Sequence, residues 1–291
     1  MASLQLNPAP SPWGCQKKLP TTKLERYYLD DTDMTQHYSI CDLKLLTSHK
    51  NTAVYKGTLT LPDKAGAVSV VVKTDFFAES PRPSAFEHEA DMYELHLWDL
   101  QDKAIPHCYG LFQYGGEDGK VSSFLVLGDC GTPIEDPRNF TDSYKSKVID
   151  AVYFIHFAGF THGDLSYHNI LNKDGCPFII DFETAKPHVC GMKEKVFIGE
   201  ERKQLGCAEM MRCAALVRAW ADVDVKLEGV YTFLRMDLRR GNIDYLLSRL
   251  AHYTDNASVY RPYVEELVEQ VEAEREHYRN MPQERRLIVP E

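Results

Sequence analysis

Hydrophobic and polar positions alternate from about residue 41 onward. Leu43, Leu45, Ala53, Tyr55, Leu59 and Leu61 are separated by polar residues at the two-residue period of a half-buried strand. Pro62-Asp63-Lys64-Ala65-Gly66 is a turn signal. Residues 68–72, rich in valine and ending in Lys73, then read as the next strand, so that three antiparallel strands with short connections are predicted. After Pro81-Arg82-Pro83, Ser84 is placed to cap a helix whose apolar stripe is Phe86, Ala90, Tyr93, Leu97 and Leu100. Residues 121–127 predict another strand, and Gly128-Asp129-Cys130-Gly131 ends it as a hinge would.

Further on, the period lengthens. Residues 142–157 predict a helix with Val148, Ile149, Val152, Tyr153 and Ile155 on a broad apolar face. Asn172-Lys173-Asp174-Gly175, between two short apolar runs, predicts a hairpin. Beyond Cys207 the pattern is helical over 208–221, around 245–250 and over 261–278. In the last stretch Val264, Leu267, Val268 and Val271 share a face, and glutamates and arginines form a solvated one. The first 22 residues hold Pro8, Pro10, Pro12 and Pro20 with little periodicity, as a flexible arm would. The expected organisation is an arm over 1–22, a β-rich lobe over 23–127 and a mostly helical lobe over 128–291. That is an α+β chain.

The length of 291 residues suits two lobes better than one core. A net charge of −10 disfavours binding to nucleic acid or to an anionic membrane surface, leaving room for a local basic pocket. Neither an apolar run of signal-peptide length nor one of about 18 residues is found, so a cytoplasmic, soluble protein is expected. The eight cysteines are scattered and form no C-x-x-C pair. His188-Val189-Cys190 has metal-ligand residue types, but on spacing the thiols read as isolated and reduced.

Candidate chemistry concentrates in one stretch. Asp164 and Asn169 lie five positions apart in a predicted loop, and Asp181 follows twelve residues after Asn169 at the end of an apolar strand. Phosphoryl transfer from ATP needs a carboxylate to receive or orient the attacking hydroxyl, oxygen ligands for magnesium, and a cation on the phosphates. Asp164 suits the first role, Asn169 and Asp181 the second, and Lys73 the third.

His162-Gly163-Asp164-Leu165-Ser166-Tyr167-His168-Asn169 resembles the catalytic loop of the protein-kinase-like superfamily, and Ile180-Asp181-Phe182-Glu183 resembles its metal motif. Val70-Val71-Val72-Lys73 is similar to the strand carrying the phosphate-binding lysine. Phe86-Glu87-His88-Glu89-Ala90 is similar to the helix whose glutamate pairs with that lysine, and Glu89 is preferred over Glu87 because Tyr93 and Leu97 then pack inward. The resemblance, strongest to atypical fungal kinase-like proteins, covers roughly residues 40–190. It implies a two-lobed fold with a small β-rich lobe and a helical one, and ATP and Mg²⁺ as cofactors. The catalytic set would be Lys73, Asp164, Asn169 and Asp181; the metal ligands, Asn169 and Asp181. Nucleotide contacts would come from Val54, Lys73, Glu89, Asp129 and Cys130, the last two presenting main-chain groups to adenine. His162 is given a structural role.

Three departures qualify this expectation. The segment Thr47-Ser48-His49-Lys50-Asn51-Thr52 has no glycine where a phosphate loop would. Gly163 stands where regulated kinases carry arginine, and no A-P-E triplet occurs between Asp181 and Cys207. Transfer to protein Ser or Thr hydroxyls is the leading expectation. A small-molecule kinase of the aminoglycoside or choline type, and a pseudokinase scaffold, remain open beside it.

Overall fold

The structure, a computed structural model, describes residues 2–6, 19–20, 23–27, 37–61, 66–117, 119–134, 140–193, 195–200, 202, 204–220, 224–227 and 230–279. Cys15, the prolines at 8, 10 and 12, and the turn signal at 62–65 lie outside them. The chain divides into two compact units, residues 1–135 with 151–190 and residues 136–150 with 191–291.

The first unit is built on a closed barrel. Its strands are β1 (Ser3–Leu6), β2 (Leu24–Arg26), β3 (His37–His49), β4 (Thr52–Thr60), β5 (Ala67–Thr74), β6 (Cys108–Gly115) and β7 (Val121–Gly128). Their order round the barrel is β1-β2-β6-β7-β5-β4-β3, and a parallel pairing of β1 with the start of β3 closes the ring. Alternation along β4 turns Ala53, Tyr55, Gly57 and Leu59 inward. Together with Leu4, Leu6, Leu24, Ile40, Val70, Val72, Phe112, Phe124 and Val126 most of these form one apolar interior. Each large apolar side chain fully buried there contributes about 1.5–3 kcal/mol.

This barrel overturns the expected two-lobed, kinase-like layout. β1 lies within the stretch read as an arm, and with β2 it bridges β3 and β6, which would otherwise be the two edges of an open sheet. Closure removes both edges and buries Leu4, Leu6 and Leu24. Nor do the residues beyond 128 make a mostly helical lobe. β8 (Thr132–Pro133), β9 (Phe160–Thr161), β10 (Ile170–Lys173), β11 (Cys176–Ile179) and β12 (Lys186–Pro187) belong with the barrel unit. β10 pairs with β11 through the predicted hairpin and with β8, and β9 pairs with β12.

α1 (Pro83–Asp91) packs on the barrel beside β6 and β7. Proline, with its fixed φ and no N–H, suits its first position. Arg82 is the cap residue, and Ser84 lies inside the first turn instead of capping it. The entry is fixed by Asp75, whose buried carboxylate accepts the N–H of Arg82 (2.6 Å) and of Ser123 (2.7 Å). A π-turn over Met92–His96 then widens the helix, yet Phe86, Ala90, Tyr93 and Leu97 all stay buried.

α2 (Asp142–Phe157) has the predicted bounds, and the division between the units falls within it, after Asp150. The second unit also holds α3 (Ala208–Leu216), a hairpin of β13 (Asp224–Leu227) and β14 (Tyr231–Leu234), α4 (Arg235–Arg239), α5 (Ile243–Leu250) and α6 (Arg261–Arg279). Phe233, Leu238, Leu246, Leu250, Val264 and Val271 form its core, and Asn242 caps α5 by accepting the N–H of Tyr245. Among the described residues no helix is long and apolar enough to cross a membrane.

Burial in this second unit pushes the Asp150 carboxyl up to about 6, with Lys195 pulling only weakly the other way. A carboxyl whose folded pKa lies above its unfolded value makes the fold bind the extra proton. Its contribution is therefore fully present below about pH 4 and is lost as pH rises toward 6. Asp150→Asn should flatten that part of the stability–pH curve and make the chain more resistant to urea at pH 7.5. An unchanged curve in urea titrations from pH 4 to 8 would rule the assignment out.

Candidate active site

Lys73 is the centre of the site. It sits on β5 directly across from Val54 on β4 and Leu125 on β7, on the strand face opposite the inward-pointing Val72. Its ammonium donates to Glu89 Oε2 at 2.7 Å and to Asp181 Oδ1 at 2.6 Å, and lies 5.8 Å from the centre of the Phe86 ring. Glu89 is 2% exposed, so its charge depends on this partner. Burial works against the lysine's charge, but Glu89 and Asp181 outweigh it and hold Lys73 above the ordinary lysine range. Glu87, the alternative partner, accepts instead from Gln113 Nε2 at 3.0 Å.

Asp181 is held in the left-handed region at φ 71°, ψ 67°, just before a 3₁₀ turn at Phe182–Thr184. A non-glycine residue there is under local strain, which packing on both sides must hold. Phe182 supplies it: fully buried, it meets Tyr93 edge-on (centroids 5.2 Å apart) and His162 (5.1 Å). Two further contacts tie α1 to this turn. Arg82 makes a two-pronged pair with Glu183 at 2.7 and 3.2 Å, and His88 Nε2 lies 3.0 Å from the Ala185 carbonyl. Neither Arg82 nor His88 stands out in the sequence, since each matters only once α1 lies against residues 181–185.

The loop over 162–169 is held from inside. His162 is buried; its Nε2 faces the Ile180 carbonyl at 2.8 Å, and its Nδ1 accepts the N–H of Asp164. A carbonyl on one nitrogen and an N–H on the other fix the tautomer with the proton on Nε2. Asn169 donates its Nδ2 to the Asp164 carbonyl at 2.9 Å, and its own carbonyl accepts Ile180 N–H at 3.0 Å. The Asp164 main chain is thus held from both sides while its side chain is exposed. Gly163 has φ +86°, and a Cβ there would lie 2.4 Å from the Thr184 carbonyl oxygen. The glycine lets the loop and the 182–184 turn touch, a contact sealed by Thr184 Oγ1 donating to the His162 carbonyl.

Asp129 and Cys130 come directly after β7. The Asp129 N–H donates to Ser69 O at 3.1 Å, and its carbonyl accepts from Lys173 Nζ at 2.8 Å, so both main-chain groups of Asp129 are engaged within the protein. Its carboxylate pairs with Lys56 at 2.6 Å and accepts from Ser69 Oγ; these bonds outweigh burial and lower its pKa. The Cys130 side chain is buried, which pushes the thiol up to about 12. The glycine-free segment is a tight hairpin turn at Lys50 and Asn51 joining β3 to β4. Neither residue has positive φ, so the turn needs no glycine.

Chemically, the site places one buried ion pair, one strained carboxylate and one ordered loop together. Asn169 and Asp181 offer amide and carboxylate oxygens, hard donors suited to magnesium. Asn169 spends its nitrogen on Asp164, which leaves Oδ1 as the atom it could offer an ion. No model of a known protein family matches the chain, and no curated protein matches its sequence. With the barrel closed and no family model matching, the expected membership of the protein-kinase-like superfamily, and of its atypical fungal branch, is not upheld.

Proposed function

We propose that this chain transfers the γ-phosphate of ATP to a hydroxyl, with protein Ser and Thr side chains as the first acceptor class to test. The observation that carries the reading is Lys73 held charged between Glu89 and Asp181. An ammonium has three N–H donors, and two of them go to these carboxylates. Such a fixed cation is suited to oxygens of a triphosphate. Val54, half-buried and directly across from Lys73, adds apolar surface for the nucleotide. Asn169 and Asp181 would hold magnesium, which neutralises phosphate charge when bound.

In the transfer, the acceptor oxygen forms a bond to the γ-phosphorus as the bond to the β,γ-bridging oxygen breaks. ADP leaves with that electron pair, and Asp164 takes the hydroxyl proton. An exposed carboxylate on a fixed main chain fits that task. Asp164→Ala should lower transfer about 10²- to 10⁴-fold, the ordinary worth of a positioned base, with little change in the unfolding midpoint. The assay follows γ-phosphate from Mg-ATP to peptides and to a panel of small alcohols in parallel. Labelling of alcohols alone would move the acceptor to metabolites, and wild-type protein labelling nothing would reject the reading.

A further inference from the structure

We infer that the barrel unit carries a second site, a transition-metal site made by His156, His188 and Cys190, with zinc the ion it suits best. One ligating atom from each of the three side chains lies within 4.8 Å of those of the others. The imidazoles of His156 and His188 meet at 82° with centroids 5.0 Å apart, so they do not stack. Tetrahedral zinc, with nitrogen at about 2.0–2.1 Å and sulfur at about 2.3 Å, needs its donors about 3.3–3.7 Å apart. From separations within 4.8 Å, the donors need to close by no more than about 1.5 Å to reach it. Two imidazoles and a thiolate form a borderline-soft set that favours zinc over magnesium or calcium, which take oxygen. Three side chains leave the fourth tetrahedral position to a further ligand.

The scaffold beneath these donors is made of main-chain bonds. His156 lies in the last turn of α2, and its carbonyl accepts the N–H of Gly159 at 3.0 Å. The Gly159 carbonyl accepts the N–H of His188 at 2.7 Å, continuing the β9–β12 ladder beyond Pro187 and Phe160. One glycine residue therefore bonds the main chain of both histidines, and Cys190 comes two residues after His188. His156 is 2% exposed, while His188 and Cys190 are half-buried, so the cluster has one side open to an arriving ion. None of the three takes part in the phosphate-transfer chemistry proposed above. β9 leads directly into the 162–169 loop and β12 comes after the 181–185 segment, so the ion would clamp the outer ends of both.

Binding requires Cys190 as thiolate, so one thiol proton leaves as the ion enters. The test uses the full chain, freed of metal with a chelator and titrated with Co²⁺ alone. One equivalent should produce tetrahedral d–d bands and a thiolate-to-cobalt charge-transfer band, and one equivalent of Zn²⁺ should abolish both. Cys190→Ser should lose the charge-transfer band, and His188→Ala should weaken Co²⁺ binding at least tenfold. Cys176→Ser, an exposed cysteine on the β10–β11 hairpin, should behave as wild type. Zinc should also raise the unfolding midpoint of metal-free wild type, a readout that does not depend on variants folding. Wild-type protein showing no stoichiometric bands, a charge-transfer band that survives Cys190→Ser, or an unfolding midpoint indifferent to zinc would each overturn the site.

Discussion

Lys73→Met should cost about 3–5 kcal/mol of stability, because it leaves Glu89 as a buried carboxylate without its cation. Asp181 loses the same partner, but its side chain is 40% exposed and water can replace much of what it loses. The pH dependence separates this cause from lost packing. With the lysine gone, burial and then the Asp181 and Glu183 carboxylates act on Glu89 unopposed and raise its folded pKa further. The variant is then close to wild type below the unfolded carboxyl range near pH 4 and falls behind as pH rises through the raised value. Wild type shares less of that loss: burial raises Glu89 there too, but Lys73 stays charged past neutral pH and opposes it. Adding Glu89→Leu should return most of the stability, as an apolar pair can replace a buried ion pair at little cost. It should not return phosphate transfer, expected to fall at least about 10²-fold in both variants as for the loss of one preorganised donor. Urea titrations of the two variants at pH 5 and pH 8 decide the matter: equal destabilisation at both, or no recovery in the double variant, would mean that Glu89 does not depend on Lys73.

What the sequence showed depended on the range of the interaction responsible. α2 was legible to its ends because its apolar face repeats over 16 residues, and the β10–β11 hairpin because Asn172 to Gly175 is a local turn code. The candidate residues stand out in the sequence for a related reason. Asp164, Asn169 and Asp181 belong to two short segments whose residue types already state a chemistry. Barrel closure was not legible. β1 and β2 have four and three residues, too few to show a period, and their partners β3 and β6 are distant in the chain. A resemblance carried by residues 40–190 had no hold on residues 3–6, and those residues turn a sheet into a ring. The contacts of Arg82 with Glu183 and of His88 with Ala185 were hidden for the same reason. The cluster of His156, His188 and Cys190 is hidden in the sequence because His188 and Cys190 lack a second pair at ligand spacing, and only folding brings His156 to them.

Gly163→Ala should be more damaging than its single methyl group suggests. Two costs add. A residue with a Cβ held at φ +86° loses about 1–2 kcal/mol against glycine. The Cβ would also lie 2.4 Å from the Thr184 carbonyl oxygen and 2.9 Å from its hydroxyl, so the 162–169 loop or the 182–184 turn must move, adding about 1–3 kcal/mol of overpacking. Gly175→Ala isolates the first cost: φ is +76° and nothing lies within 4 Å of the added carbon, so about 1–2 kcal/mol is expected there alone. Transfer should diverge further. Thr184 bonds the His162 carbonyl, and the turn it belongs to follows Asp181, so pushing loop and turn apart shifts Asp181 relative to the loop that carries Asp164 and Asn169. A misplacement of about 1 Å in such a set costs on the order of 10²-fold in rate. The comparison is made well below either variant's unfolding midpoint, so that loss of rate is not loss of fold. If Gly163→Ala proves no less stable than Gly175→Ala and transfers phosphate at the wild-type rate, close approach of loop and turn is not what sets the site. A selective collapse of transfer in Gly163→Ala would explain the glycine in the His162-Gly163-Asp164 triplet without reference to any family: the space beside Thr184 is too small for anything else.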